Sequence, residues 1–266
     1  MNLIKTSLAL LLAATGLSAQ AAHFSLISGS VWGSSTTQIS YLSTTEGIGG
    51  TLEDRSGSGT LLGIGSSASS TDNVSSAWTQ SMLLDAASDS SNVVIQASRS
   101  VSLDAMQAMS VDFGNDTAYS KMLATLRIEG DGEADGSAVR VTFSGSADTI
   151  LSSAVSAIST PTSLSMTVRG DGNSTIAEYA VATFSSDVFS FSFDTTIGTV
   201  LRLDIGFGTL STLGSNMLGD VGPGNLFESS ALVDGVLAVT PVPEPETYAM
   251  LLAGLGLIGA ASRRRK

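Results

Sequence analysis

Cysteine is absent from this chain of 266 residues, and histidine occurs once, at His23. The first absence excludes disulfides, thiolate metal sites, thiol nucleophiles and haem attachment through Cys-x-x-Cys-His. The second removes Ser-His-Asp triads, Cys-His dyads, His-rich zinc sites and H-E-x-x-H together. His23 itself is expected at a flexible terminus, a poor place for a general base. A Walker A loop is missing too, as is Gly-x-Gly-x-x-Gly between a strand and a helix. Basic residues are also scarce, at 12 against 24 acidic ones. Five of them lie at the ends, as Lys5 and Arg263 to Lys266. Residues 22–240 therefore hold 22 acidic and 7 basic side chains, a net charge of −15. Such a body repels phosphate backbones, so no nucleic-acid partner is expected.

Charged residues total 14%, against about 25% in ordinary domains. What fills the chain instead is alternation of aliphatic and β-branched residues with Ser and Thr. In Val188 to Asp194, Phe189, Phe191 and Phe193 share one face and Ser190 and Ser192 the other. In Thr199 to Phe207, Leu201, Leu203, Ile205 and Phe207 point inward, with Arg202 and Asp204 outward. Val93, Ile95, Ala97, Val101 and Leu103 mark another strand; Phe227, Ala231, Val233, Leu237 and Val239 mark a late one. A period of two over such runs is the signature of half-buried strands. Turn clusters separate them, among them Gly57-Ser-Gly59 and Gly222-Pro-Gly-Asn225. The runs Met122 to Ile128 and Ala138 to Phe143 flank a Gly/Asp loop and read as a hairpin. Ser81 to Ala87 reads as a short helix, and Gly/Ser-rich Thr45 to Thr71 as a long loop. The fold class expected is all-β, an antiparallel β-sandwich of the jelly-roll kind, flanked by an N-terminal signal helix and a short hydrophobic C-terminal helix.

Chemistry is sparse in this body. Carboxylate-pair glycoside hydrolysis needs only two facing acids, but 22 acids offer no means of choosing a pair, and no catalytic role is expected. Trp32 and Trp78 are candidates for stacking on sugar rings. Asp131, Glu133 and Asp135, followed by Gly136, have the spacing that opens a calcium loop. The twelfth position, where a bidentate Glu belongs, is Thr142. The alternative is a polar hairpin loop. No cofactor is expected beyond this incomplete Ca²⁺ candidate.

The two ends read as processing segments. Residues 1–21 combine Lys5, an apolar stretch from Leu8 to Leu17 and Ala19-Gln-Ala21, a signal peptide cut after Ala21. After the body at 22–240, residues 241–247 form a Pro/Glu-rich spacer with Pro243, Glu244 and Pro245. Three prolines in five residues hold the backbone extended. Residues 248–262 form a short hydrophobic helix, and Arg263, Arg264, Arg265 and Lys266 a basic stop on the cytoplasmic side. From Tyr248 to Ala261 such a helix measures about 21 Å, short of a hydrocarbon core of about 30 Å. It suits a transient anchor.

Triplet, apolar helix and terminal Arg cluster together resemble the PEP-CTERM sorting signal. The resemblance covers about the last 25 residues. It implies recognition by an exosortase at the inner membrane and cleavage near the triplet, in Gram-negative bacteria that make exopolysaccharide. The expectation is an exported protein, transiently anchored in the inner membrane, then placed at the outer surface or in the extracellular matrix. Its expected role is structural or adhesive, with exopolysaccharide or biofilm as setting. A carbohydrate-binding module is the alternative, and a polysaccharide-acting enzyme the second alternative.

Overall fold

The computed structural model describes residues 22–41, 44–57, 59–86, 91–153, 157–159, 162–183, 185–213, 220–242 and 252–255. Nearly all of them are strand. The strands are β1 (Ala22–Tyr41), β2 (Thr44–Thr51), β3 (Glu53–Gly57), β4 (Thr60–Ser70), β5 (Val74–Asp85), β6 (Asn92–Ala105), β7 (Met109–Gly130) and β8 (Ala138–Ser153). They continue with β9 (Ala157–Ser159), β10 (Thr162–Arg169), β11 (Thr175–Thr183), β12 (Ser186–Thr196), β13 (Val200–Leu213), β14 (Asp220–Val221) and β15 (Gly224–Pro241). A first sheet runs β11-β10-β13-β7-β1-β2, with β9 on β13 and β14 on β7. A second runs β12-β8-β15-β6-β5-β4-β3. Every pairing is antiparallel. The molecule is an all-β sandwich.

The alternating residues do what their period demands. Leu201, Leu203, Ile205 and Phe207 of β13 are buried, as are Val93, Ile95, Ala97, Val101 and Leu103 of β6. All but Val101 and Leu103 meet in a large core that also includes Phe24, Met122, Leu126, Phe143 and Val233. A smaller core of Ile39, Ile48, Val74, Trp78, Leu103 and Phe227 lies beyond it. At the β11/β12 side an aromatic stack closes the sandwich, with Tyr179 and Phe191 nearly parallel at 4.8 Å between centroids and Phe143 against Phe189 at 4.9 Å. Burial, and then the charge of Asp187, raise the Tyr179 hydroxyl above its ordinary pKa.

Four expectations are corrected. Residues 81–85 belong to strand β5, since Met82 and Leu84 are fully buried at a period of two. Thr45 to Thr71 is largely strand, in β2, β3 and β4. Its glycines are packing devices. A Cβ on Gly50 would lie 2.4 Å from the Trp78 ring, and one on Gly63 2.3 Å from Leu52. The runs 122–128 and 138–143 are not a hairpin: β7 lies in the first sheet and β8 in the second, so the loop between them crosses the sandwich. Finally, His23 is no flexible end. It is a buried residue of β1, whose neighbours Ala22 and Phe24 are also buried.

A bulge between Leu26 and Ser28 switches the inward phase of β1. One extra residue, Ile27, is thrown outward, and Val31, Ser35 and Ile39 then face the core. The signal helix lies outside the described residues. Of the C-terminal helix, 252–255 are helical. Among the described residues no helix is long and apolar enough to cross a membrane.

Candidate functional site

Between the two cores runs a buried polar belt that sequence reading missed. Arg99 of β6 reaches across the sandwich to Asp116 of β7, and both side chains are only 2% exposed. The guanidinium holds the carboxylate with two nitrogens and donates to Ser35 Oγ from Nη2 at 2.6 Å. Thr37 Oγ1 donates to Asp116 Oδ1 at 2.6 Å. Beside this pair Gln80 Nε2 donates to Ser120 Oγ. A charge this deep is retained only when paired and hydrogen-bonded, and here it is both. All of its side chains are buried, so it is a structural tie. A signal was available, because Arg99 occupies the inward phase between Ala97 and Val101.

The outer face of the second sheet is a grid of hydroxyls. Thr79 and Ser100 share a hydrogen bond of 2.7 Å, as do Ser81 and Ser98. Thr142 and Ser192 pair at 3.0 Å, and Gln96 Nε2 donates to Asp234 Oδ1 at 3.1 Å. A shallow concavity of about 580 Å³ opens over it, lined by Asp148, Ile150, Ser186, Ser230, Leu232 and Ser100 among others. Register explains the lining: Ser186, Asp148, Leu232 and Ser98 form one cross-strand row, and Ile150, Ser230, Ser100 and Thr79 the next. At the far end of this face Arg140 Nε donates to Asp194 Oδ1 at 2.8 Å. That hydrogen bond, joined by the arginine's charge, holds Asp194 below the ordinary carboxylate range.

The outer face of the first sheet carries an aromatic pair. Trp32 of β1 and Tyr119 of β7 are 48% and 44% exposed. Their rings meet edge to face, 5.8 Å apart at 63°. Directly opposite Trp32 is Lys121, whose Nζ lies 2.8 Å from Asp204 Oδ2. Trp78, the other candidate for sugar stacking, is 2% exposed in the smaller core. Of the two tryptophans, Trp32 is therefore the one a ligand can reach.

The three carboxylates of the calcium-like loop point to different surroundings. Asp131 Oδ1 lies 3.4 Å from His23 Nδ1, while Glu129 Oε2 lies 3.6 Å from His23 Nε2. Asp135 Oδ2 lies 3.7 Å from Arg127 Nη2. Glu133 turns back over Gly130, with Oε2 buried and without a hydrogen-bond partner. Among the described residues no group of three or more His, Asp or Glu side chains is gathered as metal ligands would be. Pro243, Glu244, Pro245, Arg263, Arg264, Arg265, Lys266, Ala19 and Ala21 lie outside the described residues.

Residues 241–266 match the family model of the PEP-CTERM protein-sorting motif. The motif implies export and sorting by an exosortase to the cell surface. No curated protein matches the chain. Among solved structures, the enzymatically active domain of bacteriophage CBA120 tailspike protein 4 is similar over 67% of this chain at 9% identity, with a TM-score of 0.23. This chain covers 19% of the tailspike chain's length. The VP2 subviral particle of infectious bursal disease virus is similar over 94% of this chain and 76% of its own, at 12% identity and a TM-score of 0.17.

Proposed function

We propose that the protein is a structural or adhesive component of an extracellular polysaccharide matrix, working by many weak contacts without catalysis. The observation that carries this reading is the hydroxyl grid on the outer face of the second sheet. Serine and threonine replace the Lys and Glu usual on such faces, and pairs such as Thr79–Ser100 and Thr142–Ser192 bridge adjacent strands. Each hydroxyl both donates and accepts, so the face matches a hydrated glycan chain over a wide area. Single contacts of that kind are weak, and retention comes from their number. The sorting motif supports the reading, because it implies delivery to the cell surface, where such polymers would be met. The acidic body adds solubility and keeps copies of the protein apart.

The test is the intact mass of the protein from its producing cells, measured separately in envelope and matrix fractions. The expected result is a matrix-associated form beginning near Ala22 and ending between Pro243 and Glu246. A mass that retains Arg263 to Lys266, found only in the inner membrane, would overturn the reading.

A further inference from the structure

We infer that the Trp32–Tyr119 pair is the wall of a saccharide-binding site on the outer face of the first sheet, taking a neutral hexose segment of a polysaccharide. The proposal rests on the glycan setting above, but on different residues and the opposite face.

Two exposed aromatic rings in contact form a contiguous apolar patch, the kind of surface that marks an interaction site. Here the surroundings specify one. Cross-strand register sets Trp32, Lys121, Gly206 and Ser165 in one row, about 14 Å long at ordinary strand spacing. The glycine in this row carries no side chain and is buried beneath the Tyr119 ring and Ser165. A Cβ built on Gly206 would lie 3.7 Å from Tyr119 Cε2 and 2.8 Å from Ser165 Oγ. The Tyr119 ring therefore lies over the position without a side chain and is held next to Trp32.

A pyranose has an apolar C–H face and a rim of hydroxyls that both donate and accept. The Trp32 ring offers the flat surface for the first. The Lys121–Asp204 pair, half-buried at 2.8 Å, offers ammonium donors and carboxylate acceptors for the second. Bonds to charged groups of this kind are the stronger class, and the pair is already oriented before a ligand arrives. Its charges cancel, and the body around it is strongly acidic. Both facts favour a neutral glycan over a polyanion.

The test is native affinity electrophoresis of the protein and its variants in gels holding dextran, galactomannan, mixed-linkage β-glucan or alginate. Retardation by at least one neutral polymer is expected. Trp32→Ala should weaken it at least tenfold, Asp204→Asn about three- to tenfold, and Trp32→Tyr should restore most of it. Unchanged melting temperatures would show that the exposed substitutions leave the fold intact; a variant that fails this check is replaced by Trp32→Ser. Retardation that survives loss of Trp32 would overturn this site and leave the matrix reading standing. No retardation by any neutral polymer, or retardation by alginate alone, would overturn it as well. Failure of the matrix reading shows separately, as absence of the protein from the matrix fraction.

Discussion

Removing the Arg99 guanidinium would leave the Asp116 carboxylate in a dry interior with only Thr37 and its neighbours to solvate it. Breaking one side of such a pair costs about 3–5 kcal/mol, whereas replacing both partners by apolar residues of similar size is often neutral. Arg99→Ala is thus expected to lower stability by that amount in urea denaturation, and the double variant Arg99→Met, Asp116→Leu to recover most of it. A loss below about 1 kcal/mol in the single variant would show that the tie is solvated. Single residues also show what the sequence could reveal. The inward phase of β6 was readable from Val93 to Leu103, and it placed Arg99 inside, but nothing local named Asp116 as its partner across the sandwich. Trp32 and Trp78 were equal as candidates until packing separated them. The exposure of one and the burial of the other depend on strands far away in the chain.

At the scale of elements, glycine was the main source of misreading. The stretch from Thr45 to Thr71 looks like a loop because glycine and serine usually signal one. In the sandwich the Trp78 indole fills the room that side chains at positions 50 and 65 would need. A Cβ on Gly65 would stand 2.7 Å from the Thr51 carbonyl and 3.0 Å from the indole. The carbonyl is backbone and does not move aside. Gly65→Val should therefore cost about 1–3 kcal/mol by overpacking. In a Trp32→Phe background it should also shift the emission of Trp78 to longer wavelength. Gly222, with nothing within 4 Å of its Cβ position, serves as the tolerant control when changed to Ala. Equal stability of the two variants would contradict this account. The false hairpin has a related cause: β7 and β8 each alternate correctly, and alternation is blind to which sheet a strand joins. The bulge at Ile27 likewise changes phase within β1 without a turn residue to announce it.

The whole molecule has no disulfide, and its sheets are built from partners far apart in the chain. β1 pairs with β7, and β15 lies between β8 and β6. The class of fold followed from the period of two, whereas this strand order did not, because pairing over such distances leaves no local mark. Such topologies fold slowly and depend on every central strand. A chain ending after Val242 should unfold at the same temperature as the full chain, whereas one ending after Pro223 should show no cooperative transition. Cooperative melting of the shorter form would mean that β6 and β8 can close on each other.

The place of β15 also sets an order of events. A sheet whose middle is laid down last stands open until the end, like an arch waiting for its keystone. β8 and β6 must keep their facing edges free while the intervening chain is made. The sorting motif begins at Pro241, the final residue of that keystone strand. A chain that has delivered its tail has thus also delivered the piece that shuts its body, so readiness for sorting and the ability to finish folding arrive together.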